Sequence, residues 1–190
     1  MSLEQENLWA GHFGNEYHAR NPQRDRREFW TTATRSLTGE GAVDSVLELG
    51  AGQGDNLMAL HGLSGSMLHV TGVDINAEAC KAMRERGIKA IHGSAIGMVE
   101  LPQHDLVITR GFLFQVPPAY LPQVYGLIHA AATRYIILAE YFSPVPRDIA
   151  YRGETHALWA RDFMGEMLAA YPDLKLIDYG FTYKGGGDDE

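Results

Sequence analysis

One cysteine in 190 residues leaves Cys80 without an intrachain disulfide partner. Chains used in oxidising compartments rarely do without such bridges, so a reducing, cytoplasmic setting is expected. No cationic start followed by an apolar core resembles a signal peptide, and no apolar run approaches the ~20 residues of a membrane span. Basic residues are scarce: sixteen against twenty-four acids give a net charge of −8, which argues against nucleic acid as a partner. The eight histidines form no His-x-x-x-His pair and have no cysteine cluster to join them, so no metal site is expected. Gly-x-Ser-x-Gly and Gly-x-x-x-x-Gly-Lys-Ser/Thr are both absent, which removes the commonest hydrolase and nucleoside triphosphate signals. Neither an internal repeat nor a linker between domains is present.

What the chain does have is concentrated between Asp44 and Gly54, Asp-Ser-Val-Leu-Glu-Leu-Gly-Ala-Gly-Gln-Gly. Val46, Leu47 and Leu49 form a short, apolar, β-compatible run. Gly50, Gly52 and Gly54 alternate with Ala51 and Gln53, and a helical pattern starts at Asp55. Strand, glycine turn and helix in that order make a ligand site of the kind found at the carboxyl end of a parallel sheet, where missing Cβ atoms let a ligand approach the backbone. The spacing narrows the ligand. A dinucleotide fingerprint would need a third glycine at position 55, which is Asp55, and Glu48 stands two residues before the first glycine. An acid there repels pyrophosphate but suits a cationic amino acid moiety such as that of S-adenosylmethionine. A second strand pattern from Met67 to Asp74 ends in an acid about twenty residues after the last glycine, which suits the two hydroxyls of a ribose.

The remaining order predicts an α/β fold, a single-domain, doubly wound, Rossmann-like parallel sheet. Residues 1–40 supply an N-terminal lid and helix belonging to the same domain, and residues 41–190 the ligand-binding domain. Leu8 to Asn21 mixes aromatics, glycines and polar groups as an irregular or weakly helical lid. Asn21-Pro22 reads as the start of a helix carrying Phe29, Trp30, Ala33 and Leu37. Asn76 caps a helix through Ala79, Cys80 and Met83 that Gly87 closes. Strands are expected at 88–91, 104–109 and 135–139, with a helix after Pro117-Pro118. His92 to Ala95 ends the third strand where a ligand's base could be contacted, and Thr109-Arg110-Gly111 stands at the tip of the fourth. Phe142 to Thr155 reads as a long functional loop, followed by a helix with Trp159, Phe163, Met167 and Leu168. Leu174 to Tyr183 reads as a last strand.

Glu48-Leu49-Gly50-Ala51-Gly52-Gln53-Gly54 and Gly72-Val73-Asp74-Ile75-Asn76 resemble the cofactor-binding segments of class I S-adenosylmethionine-dependent methyltransferases. More narrowly, Trp9-Ala10-Gly11-x-Phe13-Gly14-x-Glu16-Tyr17-x-x-Arg20-Asn21, Glu140-Tyr141, Tyr151-Arg152-Gly153 and Arg161-Asp162-Phe163-x-Gly165-Glu166-Met167 are similar to the pseudaminic acid biosynthesis-associated methylases. The similarity runs from about Leu8 to Tyr183. It implies S-adenosylmethionine as cofactor and S-adenosylhomocysteine as product, with a small-molecule acceptor. On the cofactor it puts Glu48, Gly50, Ala51, Gly52, Gly54 and Asn56 at the first turn, Asp74 and Ile75 at the second strand tip, and Ser94 and Ala95 at the adenine end. Thr109, Trp9 and Phe13 complete that set. Tyr17 in the lid, with Tyr141, Tyr151 and Arg152 facing the acceptor, is expected on the catalytic side. The chain departs from the family at Gln115 and Glu154, where histidines are expected. The family also continues into a final strand completing an edge hairpin, whereas this chain ends at Glu190, so an unpaired edge open to homodimerisation is expected. A cofactor-binding protein without chemistry and a nucleotide-dependent oxidoreductase are the alternative readings.

Overall fold

The computed structural model describes residues 4–20, 23–37, 41–64, 68–151 and 154–182. Its centre is a parallel sheet of five strands: β1 (Ser45–Leu49), β2 (His69–Asp74), β3 (Lys89–His92), β4 (His104–Arg110) and β5 (Ala132–Ala139). Their order is β3-β2-β1-β4-β5, with β1 between β2 and β4. Val46 lies beside Val70 on one side and Leu106 on the other. A central parallel strand is covered on both faces, so successive residues of β1 go to opposite cores. Val46 joins Trp30, Leu57, Leu60, Met83 and Leu106 on one face. Leu47 and Leu49 join Val107, Leu121, Val124, Ile128 and Met167 on the other. Each such side chain contributes about 1.5–3 kcal/mol by leaving water.

The first face is built by α3 (Arg27–Ala33), α4 (Asp55–Ser64) and α5 (Ala77–Glu85), the second by α6 (Leu121–Ala131) and α7 (Phe163–Ala170). Asn76 caps α5, its side chain accepting from the Ala79 amide at 2.9 Å, and Gly87 follows the helix at φ 79°. Ahead of the sheet stand α1 (Glu4–Ala10) and α2 (His12–Arg20), so of the irregular or weakly helical lid expected there the helical form is the one that occurs.

Four expectations are corrected. Between β3 and β4 only turns occur, so the strand–helix alternation is interrupted once. The helix on Trp30 begins at Arg27, beside an Asp25 carboxylate that accepts the Arg27 amide, and Leu37 lies beyond its end; Asn21 and Pro22 fall outside the described residues. The supposed loop of 142–155 is largely an antiparallel hairpin of β6 (Arg147–Tyr151) and β7 (Glu154–Ala160). Trp159 therefore pairs with Asp148 in β7, and the helix waits for the Asp162 side chain to cap it at Gly165. Finally, no strand forms among the described residues from Leu174 to Thr182; Leu176, Ile177, Tyr179 and Phe181 are exposed, and alternation without a neighbouring strand gives no ladder.

Candidate functional site

The turn from Gly50 to Gly54 lies at the carboxyl end of the central strand. Gly50, Gly52 and Gly54 have φ of 69°, 54° and 82°, the left-handed region that L side chains avoid. The Gly50 and Ala51 amides donate to the Val73 carbonyl at 2.9 and 3.0 Å, which ties the turn to β2. Two of the glycines also serve close packing. A Cβ on Gly50 would come within 2.5 Å of the Phe112 ring, and one on Gly54 within 2.3 Å of Ile88. The sequence reading assigned all three to ligand clearance; at these two positions the protein's own side chains already occupy the space a Cβ would need. Arg86 braces the far side, donating to the Gln53 carbonyl at 2.6 Å and pairing with Asp55 at 2.7 Å.

Glu48 is fully buried within β1. Its Oε1 accepts from Asn56 Nδ2 at 2.6 Å, while its Oε2 has no partner among the described residues. Asn56 is in turn held by Trp30, whose Nε1–H donates to Asn56 Oδ1 at 3.0 Å. This chain Trp30–Asn56–Glu48 fixes the carboxyl, and Trp30 escaped the sequence reading because its 26-residue separation from Asn56 leaves no local pattern. Burial pushes the Glu48 carboxyl up to about 8, against the opposing Asn56 hydrogen bond and the Arg110 charge. A buried acid with an orphan oxygen is costly unless a donor arrives. Trp9 Nε1 is likewise buried without a partner among the described residues, whereas the Thr109 hydroxyl interacts with the Glu140 carboxyl.

Asp74, half-buried at the tip of β2, accepts from the Gly52 amide with Oδ2 and from the Asn76 amide with Oδ1, each at 2.8 Å. A carboxylate offers about four acceptor positions, of which these two amides take one on each oxygen. Asp74 thus joins the glycine turn to the start of α5. Asn76 Nδ2 reaches the lid, donating to the Trp9 carbonyl at 3.1 Å and to Asn15 Oδ1 at 2.7 Å. Within the lid Trp9 packs edge-on against Phe13 and Tyr17, with centroids 5.2 and 5.4 Å away. Ser94 is hydrogen-bonded to Glu6 of α1, so the lid also meets the end of β3. Ala95 faces the core, and Ile75 is half-buried beside Asp74.

On the other side of β1, the Glu140 carboxylate just beyond β5 accepts from the Phe112 and Phe114 amides at 3.0 and 3.5 Å. Burial pushes Glu140 up to about 7, with those amides working against it. It holds the turn that lays Phe112 over Gly50, a role the sequence reading missed. Gln115, at an expected histidine position, donates to the Gly111 carbonyl at 2.6 Å. Tyr141 is about half exposed and stands edge-on to Phe114 at 4.8 Å. Tyr151 ends β6, across the sequence from the first-turn residues, and Arg152 lies outside the described residues. The structure thus brings Glu48, the three glycines, Asn56 and Asp74 together at the carboxyl ends of β1 and β2, with the lid tied to them through Asn76.

Residues 46–133 match the family model for a methyltransferase domain. No curated protein matches the chain by sequence. Among solved structures, DhpI in complex with SAM and HEP is 16% identical at a TM-score of 0.62, covering 88% of this chain and 87% of that one. A protein of Pyrococcus horikoshii OT3 is 17% identical at 0.60, covering 82% and 89%. The glycopeptide N-methyltransferase MtfA complexed with S-adenosyl-L-methionine is 18% identical at 0.50, covering 72% of this chain. The present chain spans 65% of MtfA's length. At these identities the likeness is one of fold.

Proposed function

We propose that this chain, which carries a methyltransferase domain at residues 46–133, binds S-adenosylmethionine in the crevice over Gly50–Gly54 and transfers its methyl group to a small acceptor. The observation that carries the reading is Glu48, a fully buried acid with an unpartnered Oε2 at the base of a three-glycine turn. The ammonium of the cofactor's amino acid end supplies the donor that oxygen lacks, and pairing with a cation favours the ionised carboxyl. Asp74 takes the ribose hydroxyls, Ser94 lies toward the adenine, and Trp9, Phe13 and Tyr17 cover the site. Bound there, the cofactor supplies an electrophilic methyl group.

The protein's own contribution is alignment. Holding acceptor, methyl and sulfur in line supplies ~7–11 kcal/mol, whereas a positioned base adds about 10²–10⁴-fold. Gln115 and Glu154 in place of histidines are therefore compatible with activity. Tyr141, Tyr151 and Arg152 are proposed to hold the acceptor, with Arg152 suited to a carboxylate or phosphate. The resemblance of those segments to the pseudaminic acid-associated methylases supports a nonulosonic acid or nucleotide-sugar intermediate as the acceptor class. A cytoplasmic homodimer joined at the unpaired sheet edge is the proposed state.

Calorimetric titration with S-adenosylmethionine, S-adenosylhomocysteine and NAD in parallel tests the reading. Micromolar affinity, about −8 kcal/mol, is expected for the first two and no heat of binding for NAD; silence from the first two refutes the cofactor. Binding without turnover to S-adenosylhomocysteine in cell extract would leave a cofactor-binding protein without chemistry.

A further inference from the structure

A cavity lies at the opposite end of the sheet from the glycine turn, among the amino-terminal ends of β2, β3 and β4. It has a volume of about 500 Å³. His69 at its wall begins the strand that Asp74 ends, five residues apart, or roughly 17 Å at the usual strand rise. The two sites are therefore separate.

The cavity's chemistry runs against that of the whole molecule. The chain carries a net charge of −8, yet among the described residues no aspartate or glutamate lines this cavity, while Lys89, Arg86, His61 and His69 do. Met58, Leu68 and Ile88 supply an apolar wall on the same side as α4. The polar groups are not equivalent. Arg86 is committed to Asp55 and the Gln53 carbonyl. His104 is committed as well: its Nδ1 lies 2.8 Å from the Pro102 carbonyl, which only accepts, so the proton sits on Nδ1 and Nε2 accepts from the Thr71 hydroxyl at 2.9 Å. Burial first, and the Lys89 and His69 charges after it, hold His104 below its ordinary value, against the pull of the Pro102 carbonyl and Asp105. His104 is thus a neutral, fixed wall. Lys89 makes no ion pair among the described residues, and its ammonium, with the imidazoles of His61 and His69, is left to meet a ligand.

We propose that this cavity binds a small organic anion, a phosphate monoester whose apolar body lies against Met58, Leu68 and Ile88 while its oxyanion meets Lys89, His61 and His69. A compact ammonium and two imidazoles suit a phosphate as point donors, and the apolar wall selects an ester over the free ion. The proposal is independent of methyl transfer at the other end of the sheet.

Titration of the full chain with phenyl phosphate and with inorganic phosphate at low salt, followed by amide chemical shifts, tests it. The expected result is saturable shifts at 68–71, 86–89 and 103–104, with phenyl phosphate the tighter of the two. Lys89 is exposed, so Lys89→Glu should leave the unfolding temperature unchanged while weakening phenyl phosphate by about tenfold or more, and Lys89→Arg should keep most of the affinity. Asp74→Ala, at the other site, should leave it unaltered. Shifts confined to the glycine turn, equal affinity for the two phosphates, or undiminished binding by Lys89→Glu would each overturn the proposal.

Discussion

Glu48 is the residue whose chemistry most depends on being buried, and two consequences can be measured. Its carboxyl is pushed from an ordinary 4.5 to about 8, so between those values the unfolded chain has lost the proton that the folded one keeps. The resulting stability is full below pH 4.5 and is lost as pH rises to about 8, each pKa unit corresponding to about 1.4 kcal/mol. Glu140, raised to about 7, adds a contribution of the same sign over a narrower window. Glu48→Gln should therefore flatten the fall of melting temperature with pH in the absence of cofactor, leaving the smaller Glu140 fall and the opposing His104 contribution; parallel curves for the two proteins would refute the assignment. Binding of the cofactor's ammonium should ionise Glu48 and release up to about one proton near neutral pH, read from calorimetry in buffers of different ionisation enthalpy. Gly50→Ala combines a φ of 69° with a 2.5 Å approach to Phe112. Strain and overpacking together should cost about 2–4 kcal/mol, visible in chemical denaturation, with cofactor affinity falling too.

At the scale of elements, the lid and α5 are joined through one side chain. Asn76 caps α5 with its Oδ1 and holds α1 and α2 with its Nδ2. Asn76→Ala should cost about 0.5–2 kcal/mol for the cap, and should also speed amide hydrogen exchange across residues 4–20. Slowed or unchanged exchange there would mean that the aromatic contacts of Trp9, Phe13 and Tyr17 hold the lid without it. The cap was legible in the sequence because Asn76 sits one residue before a helical pattern. Its second role was not, since Trp9 lies 67 positions away. The hairpin of β6 and β7 was misread for a related reason. Pro144, Pro146 and Gly153 bracket its strands, and only the cross-strand partners show that 147–151 and 154–160 are extended.

For the whole molecule, ligand binding and folding are linked because anything that binds the folded chain and not the unfolded one stabilises the fold. S-adenosylmethionine at a hundred times its dissociation constant should stabilise the fold by about 2.7 kcal/mol, raising the melting temperature, whereas NAD should not move it. Absence of any shift with S-adenosylmethionine would refute binding to the folded state. The outer edge of β5 has no strand beside it among the described residues, and Ile177, Tyr179 and Phe181 are exposed. Sedimentation over a range of concentrations should then show self-association; a monomer throughout would exclude the dimer.

The local order of residues determined the sheet's central elements. Val46 to Leu49, the alternating glycines, Asp55 and the acid at Asp74 are contiguous signals, each readable within a turn or a strand. That is why the parallel α/β architecture followed from them. Only the tertiary structure decided what each group there is free to do. It buried Glu48 with one oxygen unsatisfied, set Phe112 against Gly50 through Glu140, tied Asp74 to two amides, and gathered Lys89, His61 and His69 at the other end of the sheet. Burial and long-range hydrogen bonding depend on partners far apart in the chain, and no local pattern carries them.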